Sequence, residues 1–230
     1  MRPTTQQQWP AVPRWAHRVA AGSGPPALVW LVGAHGGAGV TALSVSLGFA
    51  GDAGTKWPGC VGLPPHRDSP LVVVVARTHM SGLAAVHEAL LAHLHHATPD
   101  GVVLVGVLTV ADTDRPLSSP VAARRATVES LAADLGAHAW RLGWVEPWRS
   151  LESHQLPAWS PQQGRASAGN RDPTVSPPPT VAAVAAQIFD TARACGVTVF
   201  RHLRDGPEPE DLIALRHNLI RIGRERRCER

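Results

Sequence analysis

Several common signatures are missing from this chain of 230 residues. Its three cysteines lie far apart and lack the spacing of metal ligands, which excludes a cysteine-based zinc site and indicates free thiols in a reducing compartment. No apolar run approaches the roughly 20 residues that span a bilayer. We therefore expect a soluble, cytoplasmic protein without a membrane span. The formal net charge of +4 is too small to indicate nucleic-acid binding by itself.

The most informative segment is a glycine-rich stretch at residues 33–41, which reads Gly-Ala-His-Gly-Gly-Ala-Gly-Val-Thr. An apolar run at 27–32 precedes it and predicts a buried strand, and residues 42–47 predict the first turns of a helix. Strand, glycine-rich loop and helix in this order are the layout of a phosphate-binding loop. Glycines let backbone amides approach and surround an anion, and the helix N-terminus adds about half a positive charge.

The stretch lacks the lysine that normally reaches the β- and γ-phosphates, because Val40 stands in that position. Thr41 keeps a hydroxyl that can reach a magnesium ion. The stretch resembles the deviant phosphate loop of the MinD/ParA family of ATPases, Gly-Lys-Gly-Gly-x-Gly-Lys-Thr. The resemblance places Ala34 at the first glycine and His35 at the signature lysine, which in the family reaches across a dimer interface. Both lysine positions of the family are therefore altered in this chain.

Downstream of the loop, strands alternate with helices. The pattern predicts strands at 71–76, 102–110 and 139–145 and helices at about 82–96 and 121–135. This order predicts an α/β fold: a reduced P-loop NTPase-like (Rossmann-like) parallel sheet of about four strands flanked by helices, plus a small helical C-terminal appendage. Such sheets bind ligands at the carboxyl ends of their strands. That rule adds Arg77, Asp112 and Arg115 to the glycine loop as candidates.

The composition divides the chain into four parts. We predict a flexible N-terminal arm at 1–26, a P-loop NTPase-like domain at 27–154, a Pro/Ser-rich linker at 155–179 and a small helical, Arg-rich segment at 180–230. Trp9 and Trp15 are expected to dock on the domain, because tryptophan is costly to leave exposed. In the last part we expect a helix at 180–194, a short strand at 197–200 and a second helix at 208–226.

One departure from the family concerns acidic residues. Family members carry an acidic residue on a strand between the first helix and the strand that resembles 71–76. Here the intervening segment offers Asp52 and Asp68, and neither follows an apolar strand. The sequence therefore predicts that the part of the family that positions metal and water is missing.

We expect a nucleotide-sensing or partner-binding module that does not hydrolyse its nucleotide. Similar bacterial proteins with a degenerate loop are linked to plasmids and integrative elements, and the resemblance implies a protein partner. Two alternatives are an active ATPase with substituted lysines, in which Arg77 or Arg115 supplies the charge, and a DNA-associated adaptor that uses Arg216–Arg230. The cofactor would be ATP with magnesium held by Thr41, and we assign no catalytic residue. The predicted binding residues are His35, Gly36, Gly37, Ala38, Gly39, Val40, Thr41, Arg77 and Asp112.

Overall fold

The computed structural model describes residues 10–19, 26–62, 68–161 and 172–205, with only the helical backbone for 198–205. None of the helices in these ranges is long and apolar enough to cross a membrane. The strands and helices, in chain order, are β1 (Val29–Gly33), α1 (Val40–Leu47), β2 (Ala50–Asp52), β3 (Leu71–Arg77), α2 (Met80–Leu94), β4 (Val103–Val110), α3 (Ser119–Asp134), β5 (His138–Leu142) and α4 (Pro179–Asp205).

The five strands form one parallel sheet in the order β2-β1-β3-β4-β5. This confirms the predicted α/β class with a Rossmann-like arrangement. The order 2-1-3-4-5 is a common doubly wound order, in which the chain runs outward in both directions from β1 and β3. Ligands of such sheets bind outside the carboxyl ends of the strands, at the point between β1 and β3 where the direction reverses.

The two faces of the sheet are buried in separate hydrophobic clusters. Val29 and Leu31 of β1 pack on the side of α1 and α4, whereas Trp30 and Val32 pack on the side of α2 and α3. β3 alternates in the same way. Both faces are covered, so the strands carry continuous apolar runs instead of alternating polar residues.

The sheet has five strands, one more than the expected count of about four. The strand that was not predicted is β2. It has three residues and pairs in parallel with β1. Its central Gly51 lies under the Trp30 ring, where an added Cβ would come within 2.4 Å of Cζ3. Asp52 is the last residue of this strand. The prediction that neither Asp52 nor Asp68 follows an apolar strand is therefore wrong for Asp52.

The C-terminal helix also differs from the prediction. α4 continues through the strand expected at 197–200, so that strand is wrong. Its first half packs in the same layer as α1, with Ile188 and Ala192 fully buried against the sheet. Gly196 lies inside the helix, where glycine costs only about 1 kcal/mol relative to alanine. The helix expected at 208–226 lies outside the described residues.

The first residues of the predicted linker belong to this layer. Leu156 and Trp159 are buried, and the backbone amide of Trp159 donates to Ser46 O of α1 at 2.8 Å. The Trp159 ring makes edge contacts with Phe49 and with Phe189 of α4. Residues 156–159 therefore join α1 to α4.

Part of the N-terminal arm packs on the other face of the domain. The indole of Trp15 donates to Ala53 O at 2.9 Å, and its backbone amide donates to Trp57 O. The Lys56 ammonium lies 4.7 Å from the Trp15 ring centroid. The predicted docking is confirmed for Trp15, and Trp9 lies outside the described residues.

Candidate functional site

The glycine loop follows β1 and is tied to the strands on both sides of it. The Gly33 amide donates to Gly54 O at 2.7 Å, just beyond β2, and the Ala34 amide donates to Val75 O of β3 at 2.8 Å. Two positions in the loop require glycine, because Gly37 and Gly39 have φ values of 76° and 91°. The loop therefore has a conformation that only its glycines allow without strain.

The loop has free backbone donors at the carboxyl ends of the strands. The amides of Gly36, Gly37 and Gly39 make no hydrogen bond within the described part of the chain, and the first two residues are exposed. α1 begins directly after Gly39, with no side-chain cap. Free amides from successive glycines beside a helix N-terminus are suited to hold an anion.

The His35 ring fixes the loop to the end of β3. Its Nε2 accepts a hydrogen bond from the Arg77 amide at 3.1 Å, which leaves the proton of the neutral ring on Nδ1. Nδ1 then donates to Gly36 O at 2.7 Å. Both ring nitrogens are thus engaged within the chain. His35 stands where the MinD/ParA loop has its signature lysine, but here it holds the loop against its own sheet.

A glycine at the start of α2 makes room for this ring. A Cβ on Gly82 would come within 2.5 Å of Arg77 O and 2.8 Å of His35 Nε2. The Gly82 amide donates to Nδ1 of His79, the N-cap of α2, at 3.0 Å. The His35 and His79 rings lie 5.0 Å apart by their centroids. The loop, β3 and α2 therefore meet closely at the point where the sheet reverses direction.

Arg77 extends from the end of β3 towards the loop. Its Nη1 donates to Ala111 O at 2.9 Å, and its Nη2 lies 3.3 Å from where a Cβ on Gly39 would be. The structure thus brings a guanidinium beside the free amides of the loop. This was the position predicted for Arg77.

Asp52 is a site residue that the sequence analysis did not assign. Thr41 Oγ1 donates to Asp52 Oδ2 at 2.7 Å, and Asp52 Oδ1 accepts from the Gly54 amide at 2.7 Å. Thr41 is exposed at the start of α1. The available signal was the position of Asp52 shortly after α1, but the strand that carries it is too short to recognise.

Other predicted residues contribute less. The side chains of Ala38 and Val40 are buried in the core, at 2% and 7% exposure, so only their backbone can face a ligand. Asp112 follows β4, on the far side of β3 from the loop, and its amide donates to Thr78 Oγ1 at 3.2 Å. The structure does not place Asp112 in the glycine loop.

A cavity of about 500 Å³ adjoins the loop on the side of α2. Its walls are residues 33–36 of the loop, residues 10–13 of the N-terminal arm and the small side chains Ala85, Ala89 and Ala92 of α2. His35 and Glu88 are its ionisable groups. The arm thus closes one side of the space beside the loop.

The cysteines described have no part in the site. Cys60 and Cys195 are free, as predicted, and burial raises the pKa of the Cys195 thiol. The third, Cys228, lies outside the described residues. No group of three or more His, Cys, Asp or Glu side chains that could hold a metal occurs in the described ranges.

Comparison with known proteins finds no family model, no curated protein and no solved structure that matches this chain. The resemblance to the MinD/ParA family therefore rests on the residues of the loop.

Proposed function

We propose that this protein binds a nucleotide through the glycine loop without efficient hydrolysis and acts as a sensing or partner-binding module. One observation carries the proposal: the free amides of Gly36, Gly37 and Gly39 lie at the reversal point of a doubly wound sheet, beside the Arg77 guanidinium. Amides and a guanidinium together favour a phosphate group. The resemblance to the MinD/ParA loop supports the nucleotide, with a protein partner and a role in plasmid or integrative-element maintenance.

The Thr41–Asp52 pair fits magnesium as the accompanying ion. Magnesium prefers oxygen ligands and is commonly held by one or two carboxylates together with substrate phosphates. A hydroxyl and a carboxylate already 2.7 Å apart supply two such oxygens at the start of α1. Bound there, the ion would neutralise phosphate charge. The hydrogen bond from the Gly54 amide holds the Asp52 carboxylate in place as its ligand.

The absence of efficient hydrolysis is proposed on the basis of Val40. No lysine is present in the loop to stabilise charge on a transferring phosphoryl group, and loss of such a preorganised charge costs several kcal/mol of barrier. The second reason given by the sequence, a missing acidic strand, no longer applies, because Asp52 ends β2.

A second candidate is a working ATPase in which Arg77 replaces the lysine. The position of its guanidinium, whose Nη2 lies 3.3 Å from where a Cβ on Gly39 would be, favours this alternative over one that uses Arg115, since Arg115 lines a separate cavity without loop residues. The DNA-associated adaptor depends on Arg216–Arg230, which lie outside the described residues. A DNA shift assay at increasing salt tests that proposal.

Calorimetric titration with ATP, ADP and GTP, with and without magnesium, tests the first two candidates. We expect binding without phosphate release, and about a tenfold loss of affinity in Arg77→Ala, the low end for a hydrogen bond to a charged group. Arg149→Ala, an exposed arginine away from the loop, is the matched control. Magnesium-dependent turnover that disappears in Arg77→Ala would support the ATPase instead. If no nucleotide binds, both candidates are wrong.

A further inference from the structure

A second cavity, of about 560 Å³, opens at the same edge of the sheet, at the ends of β4 and β5 and the start of α3. No residue of the glycine loop lines it. Its volume is within the range of small-molecule sites, about 300–1,000 Å³. The residues that matter for its chemistry are Thr78, Thr109, Arg115, Arg125, Arg141 and Trp144.

The arginines on its wall outnumber the carboxylates. Three arginines line the cavity, with Asp114 as the one carboxylate among its lining residues. Behind them, Glu129 accepts hydrogen bonds from two nitrogens of Arg141 and lies 3.6 Å from Arg125 Nε. One carboxylate therefore holds two guanidinium groups, and each keeps further N–H donors for another partner.

The third arginine has no counterion. The Arg115 guanidinium makes no hydrogen bond or ion pair within the described ranges, and its side chain is exposed at the mouth of the cavity. The neighbouring Asp114 accepts instead from the Thr113 hydroxyl at 3.2 Å. An arginine fork without a partner is suited to pair with a carboxylate or phosphate.

Two buried hydroxyls line the cavity at the ends of β3 and β4. Thr78 is 5% exposed, and its oxygen accepts from the Asp112 amide, while its hydroxyl hydrogen has no acceptor among the described residues. Thr109 is 2% exposed and donates to Trp140 O at 3.3 Å. A buried hydroxyl with an unused donor gains from a ligand oxygen.

We propose that this cavity binds a small anionic metabolite whose carboxylate or phosphate group pairs with Arg115, Arg125 and Arg141. The excess of cationic over anionic groups on its wall selects the charge of the ligand. The concave shape favours a small molecule over a nucleic-acid backbone, which would need an extended basic surface. The site is separate from the glycine loop and does not depend on the function proposed for it.

The test is titration of the ¹⁵N-labelled full chain with inorganic phosphate and, separately, with succinate, followed by the amide signals of Thr113, Asp114 and Arg115. We expect saturable shifts with at least one probe. Phosphate alone would identify a phosphorylated ligand, and succinate alone a carboxylate ligand. Arg115→Ala and Arg125→Ala should each weaken binding about tenfold or more. Arg124→Ala removes the same charge from α3 outside the cavity and should change binding less than twofold.

Three outcomes would overturn the proposal. They are no saturable shift with either probe, equal losses in Arg115→Ala and Arg124→Ala, or loss of binding in Gly37→Ala, which strains the glycine loop at its positive φ. The last result would place the anion in the glycine loop. Arg115 is exposed and has no partner in the described ranges, so the first variant is expected to fold; circular dichroism checks this. Failure of nucleotide binding at the loop would leave the titration with phosphate or succinate unchanged.

Discussion

Two sites lie along the carboxyl ends of the strands, and they offer different hydrogen-bond donors to an anion. At the reversal point between β1 and β3, the donors are backbone amides, which a histidine and two glycines hold in place. At the ends of β4 and β5, the donors are arginine side chains, which Glu129 positions. The first arrangement depends on backbone conformation and the second on side-chain charge.

The difference predicts how each site responds to a substitution and to salt. The glycine loop should tolerate the removal of a nearby charge better than the addition of a side-chain atom at Gly82, because its geometry comes from close backbone contacts. The arginine cavity should respond to charge and to salt, because exposed charges are screened within about 10 Å at 0.1 M salt. Substitutions of both kinds test this difference between the two sites.

The largest effect is expected when the missing charge is restored to the loop. Val40→Lys should increase nucleotide affinity about 10- to 150-fold, since a charge-assisted hydrogen bond contributes roughly 1.5–3 kcal/mol. The Val40 side chain is buried beside Gly33, so the lysine stem must pass along this apolar surface to bring its ammonium to the loop. ATP titration of both proteins measures the change.

Val45→Lys is the matched control, because it places the same charge on α1 beyond the loop. It should change affinity by less than threefold, because position 45 is partly exposed and lies beyond the loop. Equal gains in nucleotide affinity in the two variants would show that general charge attraction is responsible, and the loop would then not be a phosphate-binding loop.

The next effect concerns space between the loop and α2. Gly82→Ala should destabilise the protein by about 1–3 kcal/mol, the usual cost of overpacking, because its Cβ would overlap Arg77 O and His35 Nε2. Gly36→Ala has no heavy atom within 4 Å of the new Cβ and should cost under about 0.5 kcal/mol. Urea denaturation measures both. Similar costs would contradict the role assigned to close packing.

The sequence predicted the glycine loop because the strand, the glycines and the helix that mark it are consecutive in the chain. Strand, glycines and helix follow one another within residues 29–47, and backbone conformation depends mainly on neighbouring residues. The nearby Asp52 was missed because β2 contributes only three residues and is recognisable only through its pairing with β1. The strand expected at 197–200 was wrong because Gly196, a common type of helix stop, lies inside the amphipathic helix α4.

The arginine cavity was not predictable in the same way. Its side chains come from the ends of β3, β4 and β5 and from α3, so only the strand order brings them together. Arg125 pairs with Glu129 locally, at i and i+4 on α3, but nothing local brings Arg141 to the same carboxylate. A sequence pattern can reveal a site built from consecutive backbone groups, whereas a site built from distant side chains requires the pairing of the strands.

The smallest effect is expected when Glu129, the carboxylate behind the cavity that Arg115, Arg125 and Arg141 line, is neutralised. Glu129→Gln should cost about 0.2–1 kcal/mol of stability, because the Arg141 side chain is 59% exposed and exposed pairs contribute little. The loss should shrink in 1 M NaCl, where the screening length falls to about 3 Å. Glu152→Gln, which affects only an exposed pair with His154, is the control and should cost less. Urea denaturation at low and high salt measures both variants. A cost of several kcal/mol that salt does not change would mean that Glu129 belongs to a rigid buried network, and the two sites would then be built in the same way.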